Sequence, residues 1–169
     1  MMHMIGGKTL HIGVLIGSKT MLSNIQRLEG FQEGLASRGR AEDSWEIVDV
    51  MESNNDDMTA YEIVQQHLKE HPETNAIFVI TSGAAYGAAK AVKDSGRKGE
   101  VTLIVFDIIP NTLRMMKEGV VQAAIYQHPH IQGRTAMQIA FEYLINNKYP
   151  DNYHHIIRND IRILENAED

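Results

Sequence analysis

Five short apolar segments, each followed by an amphipathic stretch, constrain this chain more than any other feature. They are "TLHIGVLIG" (9–17), "WEIVDV" (45–50), "AIFVI" (76–80), "VTLIVF" (101–106) and "VVQAAIY" (120–126). The third is apolar at every position, as expected of a strand covered on both faces of a parallel sheet. The stretches between them repeat apolar residues at helical spacing, as Leu28, Phe31 and Leu35 do. Strands alternating with helices form right-handed βαβ units, so the expected fold class is α/β: a parallel-sheet, Rossmann-like or flavodoxin-like three-layer lobe. The tail "HHIIRNDIRIL" (154–164) reads as one more strand.

Local signals place the helix ends. Ser23 with Gln26, and Thr59 with Glu62, have the form of capping boxes. Pro72 stops the second helix, and Pro110 opens a short helix that Gly119 closes. A last helix is predicted from Pro129 to about Asn147.

Composition narrows the function classes. With 43% hydrophobic and 22% charged residues, the chain is an ordinary globular protein. A formal charge of −6 argues against a phosphate-binding face on the chain itself. The absence of cysteine removes disulfides and thiolate chemistry. The apolar runs are strand-sized, so none is expected to span a membrane, and "MMHMIGGKTLH" lacks the pattern of a signal peptide. "GVLIGSKT" fails the spacing of a phosphate loop, because Ser18 separates Gly17 from Lys19. "HLKEH" (67–71) has the spacing of a zinc motif, but it lies in the last turn of a helix with no third ligand evident. His154 and His155 point to opposite faces of a strand and cannot chelate together.

In an open α/β sheet, ligands bind beyond the carboxyl ends of the strands. Arg27 follows strand one, Thr81 and Ser82 follow strand three, Asp107 ends strand four and Gln127 ends strand five. A guanidinium, a carboxylate, a carboxamide and two hydroxyls at one edge suit a polyhydroxylated molecule. No nucleophile is paired with a base, so the chain is expected to bind rather than catalyse, with no cofactor and no metal. Arg27 lies in the first turn of its helix, where the dipole disfavours a cation by about 0.3–1 kcal/mol. Asp107 and ligand hydroxyls would offset that. Plainer roles stay open: a surface ion pair of Arg27 with Glu33 or another acid, helix capping by Asp107, backbone satisfaction by Gln127, turn or cap formation by Thr81 and Ser82, and packing for Trp45 and Tyr86.

"NIQRLEGFQEGL" and "LIVFDIIPNTLRMMKEGVVQAAIYQHPHIQG", in this order, resemble the type I periplasmic-binding-protein superfamily. Within it the chain is most similar to the sugar-sensing domains of LacI-type transcriptional regulators, in the branch near ribose-binding proteins. The resemblance implies that Arg27, Asp107 and Gln127 hydrogen-bond a carbohydrate or related polyol. Thr81 stands where the family commonly has an Asn- or Asp-containing step, followed by Ser82. It further implies residues 1–127 as a second ligand-binding lobe, 128–150 as a segment of a missing first lobe, and 151–169 as a return to the second. The expected protein is then a fragment of a cytoplasmic regulator, a homodimer without membrane contact that meets DNA only through a missing N-terminal domain. Helix 129–147 would pack on its own lobe or mediate dimerisation. The alternatives are an extracytoplasmic sugar receptor of an ABC transporter or chemoreceptor, and an enzyme of flavodoxin-like or Rossmann-like architecture.

Overall fold

The computed structural model describes residues 9–38 and 44–168. In chain order these form β1 (Leu10–Ile16), α1 (Leu22–Arg38), β2 (Trp45–Glu52), α2 (Asp57–Glu70), β3 (Ala76–Val79), α3 (Ala85–Asp94), β4 (Thr102–Phe106), α4 (Pro110–Lys117), β5 (Ala123–Tyr126), α5 (Pro129–Asn146) and β6 (Asp160–Arg162). The strands make one sheet in the order β2-β1-β3-β4-β5-β6. All neighbours are parallel except β5 and β6. The expected α/β class is therefore found. The tail contributes three residues of strand where eleven had a strand-like pattern, because only 160–162 reach the free edge of β5.

The side-chain period of two divides the core into two clusters. On one face, Leu15, Ile77, Val79, Leu103 and Val105 meet the small residues of α3 and the apolar stripes of α2 and α4. On the other, Ile12, Val14, Ile16, Phe78, Ile80 and Phe106 meet Leu28, Phe31 and Leu35 of α1. Burying a Val or Ile such as Val79, wholly inaccessible here, is worth about 1.5–3 kcal/mol. Phe31, Phe78 and Phe106 run along the α1 face with centroid separations of 4.4 and 6.0 Å.

Two caps differ from the sequence reading. Helix α1 begins at Leu22, so Ser23 lies inside its first turn. Helix α2 is capped by Asp56, whose carboxylate accepts from the Thr59 N–H at 2.7 Å and the Thr59 hydroxyl at 2.8 Å. The aspartate outcompetes the later Thr59–Glu62 pair because it offers a charged acceptor to the free N–H groups of the first turn. Pro110 does open α4, and Gly119 follows it with φ +72°.

Helix α5 stands apart in character. None of its residues is buried. Ile131, Met137, Phe141, Leu144 and Ile145 are all largely exposed. Among the described residues, no helix is long and apolar enough to cross a membrane.

Candidate functional site

Strand order reverses between β1 and β3, since α1 leads from β1 to β2 on one side while β3 pairs on the other. The crevice beyond their carboxyl ends is where such a sheet accepts a ligand. The amino end of α1 lies there, and Arg27 is in its second turn. Its Nη1 donates to the carbonyl oxygen of Ile80 at 2.8 Å, and its Nη2 to Gln127 Oε1 at 2.8 Å. The guanidinium stacks 4.2 Å above the ring of Phe106, at the end of the aromatic row. A cation over a ring face is attracted by the ring's quadrupole, which fixes the plane of the guanidinium.

Gln127 completes a relay. Its Nε2 donates to both carboxylate oxygens of Asp107, at 3.0 and 2.8 Å, while its Oε1 accepts from Arg27. One carboxamide thus joins a cation to an anion across 100 residues of chain. Burial holds the Arg27 pKa below its usual value, opposed only in part by the charge of Asp107. An arginine so placed keeps its charge throughout the working pH range. Asp107 adopts φ +62°, a left-handed conformation that Asp tolerates better than most residues. Its N–H donates to Ile125 O at 2.9 Å, which holds it to β5.

Arg27, Asp107 and Gln127, the three residues expected at a common rim, are therefore brought together. Arg27 is engaged by Ile80 and Gln127 rather than Glu33. Helix α4 has Ile109 at its cap, and Asp107 turns instead to Gln127. Gln127 spends its side chain on charged partners and not on strand-end backbone.

The hydroxyls behave differently. Thr81 is buried, and its Oγ1 donates to Asn55 Oδ1 at 2.5 Å, so its first partner is within the protein. Ser82 is half-buried at the start of a single 3-10 turn, Ser82–Ala84. Trp45 and Tyr86 pack against the two core clusters. The histidines of "HLKEH" sit at the other end of α2. His67 is buried against Thr74, and His71 meets Glu73.

Sequence reasoning missed two residues. Asn55 follows β2, and paired asparagines after a strand signal left-handed turns. Asn54 and Asn55 take φ +53° and +59°. Phe106, directly before Asp107, is the platform under Arg27; only its burial and stacking reveal that.

Against known proteins, residues 1–148 match the model described as periplasmic binding protein domain. The chain belongs to that family. It is 28% identical over 133 residues to the D-ribose/D-allose-binding protein of Pseudomonas aeruginosa, covering 79% of this chain and 40% of that one. It is 26% identical over 149 residues to the ribose import binding protein RbsB of Salmonella typhimurium, covering 86% and 47%. Among solved structures, a periplasmic solute binding protein of an ABC transporter from Actinobacillus succinogenes, with bound D-allose, superposes with a TM-score of 0.87 at 25% identity. That match covers 98% of this chain and 57% of the other. GanP, a glucose-galactose binding protein from Geobacillus stearothermophilus, gives 0.85 at 25%, covering 96% and 55%. The chain spans less than half the length of these two sequence relatives.

These findings correct two expectations. The reading as a LacI-family transcription regulator is overturned, because the relatives are sugar-binding and import-binding proteins. The cytoplasmic placement falls with it: a further relative, from Escherichia coli, is a D-allose-binding periplasmic protein, 29% identical over 84 residues, covering 50% of this chain and 27% of that one. The physical reason is plain. The quoted motifs lie along the strands and at their ends, where they set the fold of the lobe and not the partner it serves. The motifs identify the superfamily and do not discriminate within it.

Proposed function

We propose that this chain is a ligand-binding lobe of an extracytoplasmic sugar receptor serving an ABC importer, and that Arg27, Asp107 and Gln127 hydrogen-bond a monosaccharide. The observation that carries this is the Arg27–Gln127–Asp107 relay, pinned on Phe106 at the strand ends. It offers donors and an acceptor already locked in orientation, so a sugar hydroxyl finds both without the protein reordering side chains. Names of relatives support the ligand class, since ribose and allose recur among them. The role is binding and not catalysis, because the relay holds its groups in mutual hydrogen bonds and pairs no nucleophile with a base. The DNA partner is dropped along with the regulator reading.

The lobe boundaries belong to the same proposal. Residues 128–150 contain α5, whose Phe141, Leu144 and Ile145 face solvent. An apolar face of this kind suits the surface of a second lobe, which would supply the opposite wall of the cleft; a sheet edge alone covers one side of a sugar. The single lobe should then bind weakly, in the millimolar range, about 4 kcal/mol of binding free energy. The test is nuclear magnetic resonance titration of the 169-residue chain with D-ribose, D-allose and D-arabinose, following Arg27 Nε–H and the Gln127 amide. Saturable shifts that disappear in Arg27→Ala are expected. Shifts in neither group with any of the sugars overturn the reading.

A further inference from the structure

Thr81, one of the residues expected to touch ligand, spends its hydroxyl proton on Asn55. That hydrogen bond has a consequence for Asn55 itself. With Oδ1 occupied by Thr81, the carboxamide is oriented, and its Nδ2 carries two N–H donors on an exposed residue at the lip of the crevice.

Two connections tie Asn55 to the Arg27 rim. Thr81 directly follows Ile80, whose carbonyl receives Arg27 Nη1. On the other side, Asn55 lies against Gly17, whose N–H donates to Asn24 Oδ1 at 3.3 Å, one helical turn before Arg27. The carboxamide occupies the space a side chain at Gly17 would need. A Cβ there would lie 2.1 Å from Asn55 Oδ1 and 2.9 Å from Nδ2. Gly83 approaches the backbone of the same residue, where a Cβ would come within 2.7 Å of the Asn55 carbonyl oxygen. Asn55 is thus clamped between two positions that carry no side chain, and held in a left-handed conformation that Asn adopts readily. A loop turn alone explains the φ angle, but not the clearance at Gly17 nor the hydrogen bond from Thr81. Asn24 is buried beside this cluster, and its Nδ2 finds no hydrogen-bond partner among the described residues. The polar ground under the crevice is therefore supplied from three strand ends, β1, β2 and β3.

We infer that Asn55 is a specificity-determining residue that donates from Nδ2 to a sugar oxygen, and that Thr81 and Gly17 are positioning residues acting through it. The carboxamide of the crevice comes from the β2–α2 loop, and the β3 end supplies only its support. This rests on the sugar-binding reading above. It predicts a ligand whose hydroxyl lies on the β2 side of the group held by Arg27, so that epimers inverted there are distinguished.

The experiment is the same titration of the 169-residue chain with D-ribose, D-allose and D-arabinose, now also following the Asn55 side-chain NH2. Asn55→Gly removes the carboxamide without straining the φ +59° backbone, and Asn55→Ala is a second variant. The Asn55 NH2 signal should shift and saturate with the same curve as Arg27 Nε–H. Asn55→Gly should weaken the preferred sugar about 3- to 10-fold, the effect of one hydrogen bond, and narrow the differences among the three sugars. Thr81→Val and Gly17→Ala should weaken it about 2- to 5-fold, with Thr81→Ser restoring it and Asn55→Gly abolishing any further effect of Thr81→Val. If Arg27 shifts while the Asn55 signal stays fixed and Asn55→Gly binds as the parent does, the inference fails and the rim reading stands. If neither group shifts, the rim reading itself fails and takes the inference with it.

Discussion

Gly87 and Gly30 are both helical glycines, and the structure predicts opposite outcomes for the same substitution. In α3, a Cβ on Gly87 would lie 1.9 Å from the carbonyl oxygen of Asp57, 2.7 Å from its carbonyl carbon and 3.0 Å from its Cα. All three are backbone atoms at the start of α2, so no side chain can swing aside. Helices α2 and α3 would have to part by more than a bond radius, and the Gly87 N–H would lose its 2.8 Å bond to Asp57 Oδ1. Overpacking of this kind costs about 1–3 kcal/mol, and the lost hydrogen bond about 1 kcal/mol. Better helix propensity returns about 1 kcal/mol. The net expectation for Gly87→Ala is a loss of about 1–3 kcal/mol, a fall in Tm of roughly 2–12 °C for a chain of this size. In α1, nothing lies within 4 Å of the equivalent atom on Gly30. Only the propensity gain acts there, so Gly30→Ala should gain up to about 1 kcal/mol. Urea unfolding read by circular dichroism and by the fluorescence of Trp45, the one tryptophan, measures both. A midpoint for Gly87→Ala at or above that of the parent refutes the packing of α2 on α3, and with it the placement of the Ser82–Ala84 turn.

Further outcomes follow from the site, from a buried histidine and from α5. Arg27→Ala should weaken monosaccharide binding about 10- to 100-fold, the loss expected when hydrogen bonds from a charged group are removed, and the urea midpoint should fall modestly, because the bonds to Ile80 O and Gln127 Oε1 go with it. For Asp107, Asn is the cleaner test than Ala, because it keeps the φ +62° backbone relaxed; Asp107→Asn sets two amides against each other at Gln127 and should also lose binding in calorimetry. His67 has its pKa lowered by burial and by the neighbouring His71. A group with a depressed folded pKa contributes stability that is complete above its unfolded value, near 6.5, and is lost as pH falls through the folded value. Urea midpoints should therefore drop between pH 7.5 and 5, and His67→Gln should flatten that drop; an unchanged slope would remove His67 as its source. On α5, Phe141→Asp and Leu144→Asp should leave the stability of the lobe unaltered, since both side chains are exposed. They should weaken association with the opposing lobe, measured by sedimentation.

What the chain showed before folding was periodic and local. "AIFVI" is a buried strand and Pro110 starts a helix because neighbouring residues alone set those outcomes. The rim residues Arg27, Asp107 and Gln127 were also legible, because strand ends in an α/β sheet share one edge and can be counted off in order. Their partners were not. Nothing local says that Gln127 turns its Oε1 to Arg27 and its Nε2 to Asp107, or that Thr81 faces Asn55, 26 residues away. The cap at Asp56 escaped because two plausible cap residues compete within one short loop, and their geometry decides between them. Receptor and regulator were not separable in the residues, because the motifs that carry the resemblance set the fold of the lobe and not the partner it serves. The sequence by itself determined the order and kind of the elements through side-chain periodicity, which acts over a few residues. Only the tertiary structure decided which polar groups meet, because those meetings join segments as far apart as 100 residues and depend on where the sheet carries each strand end.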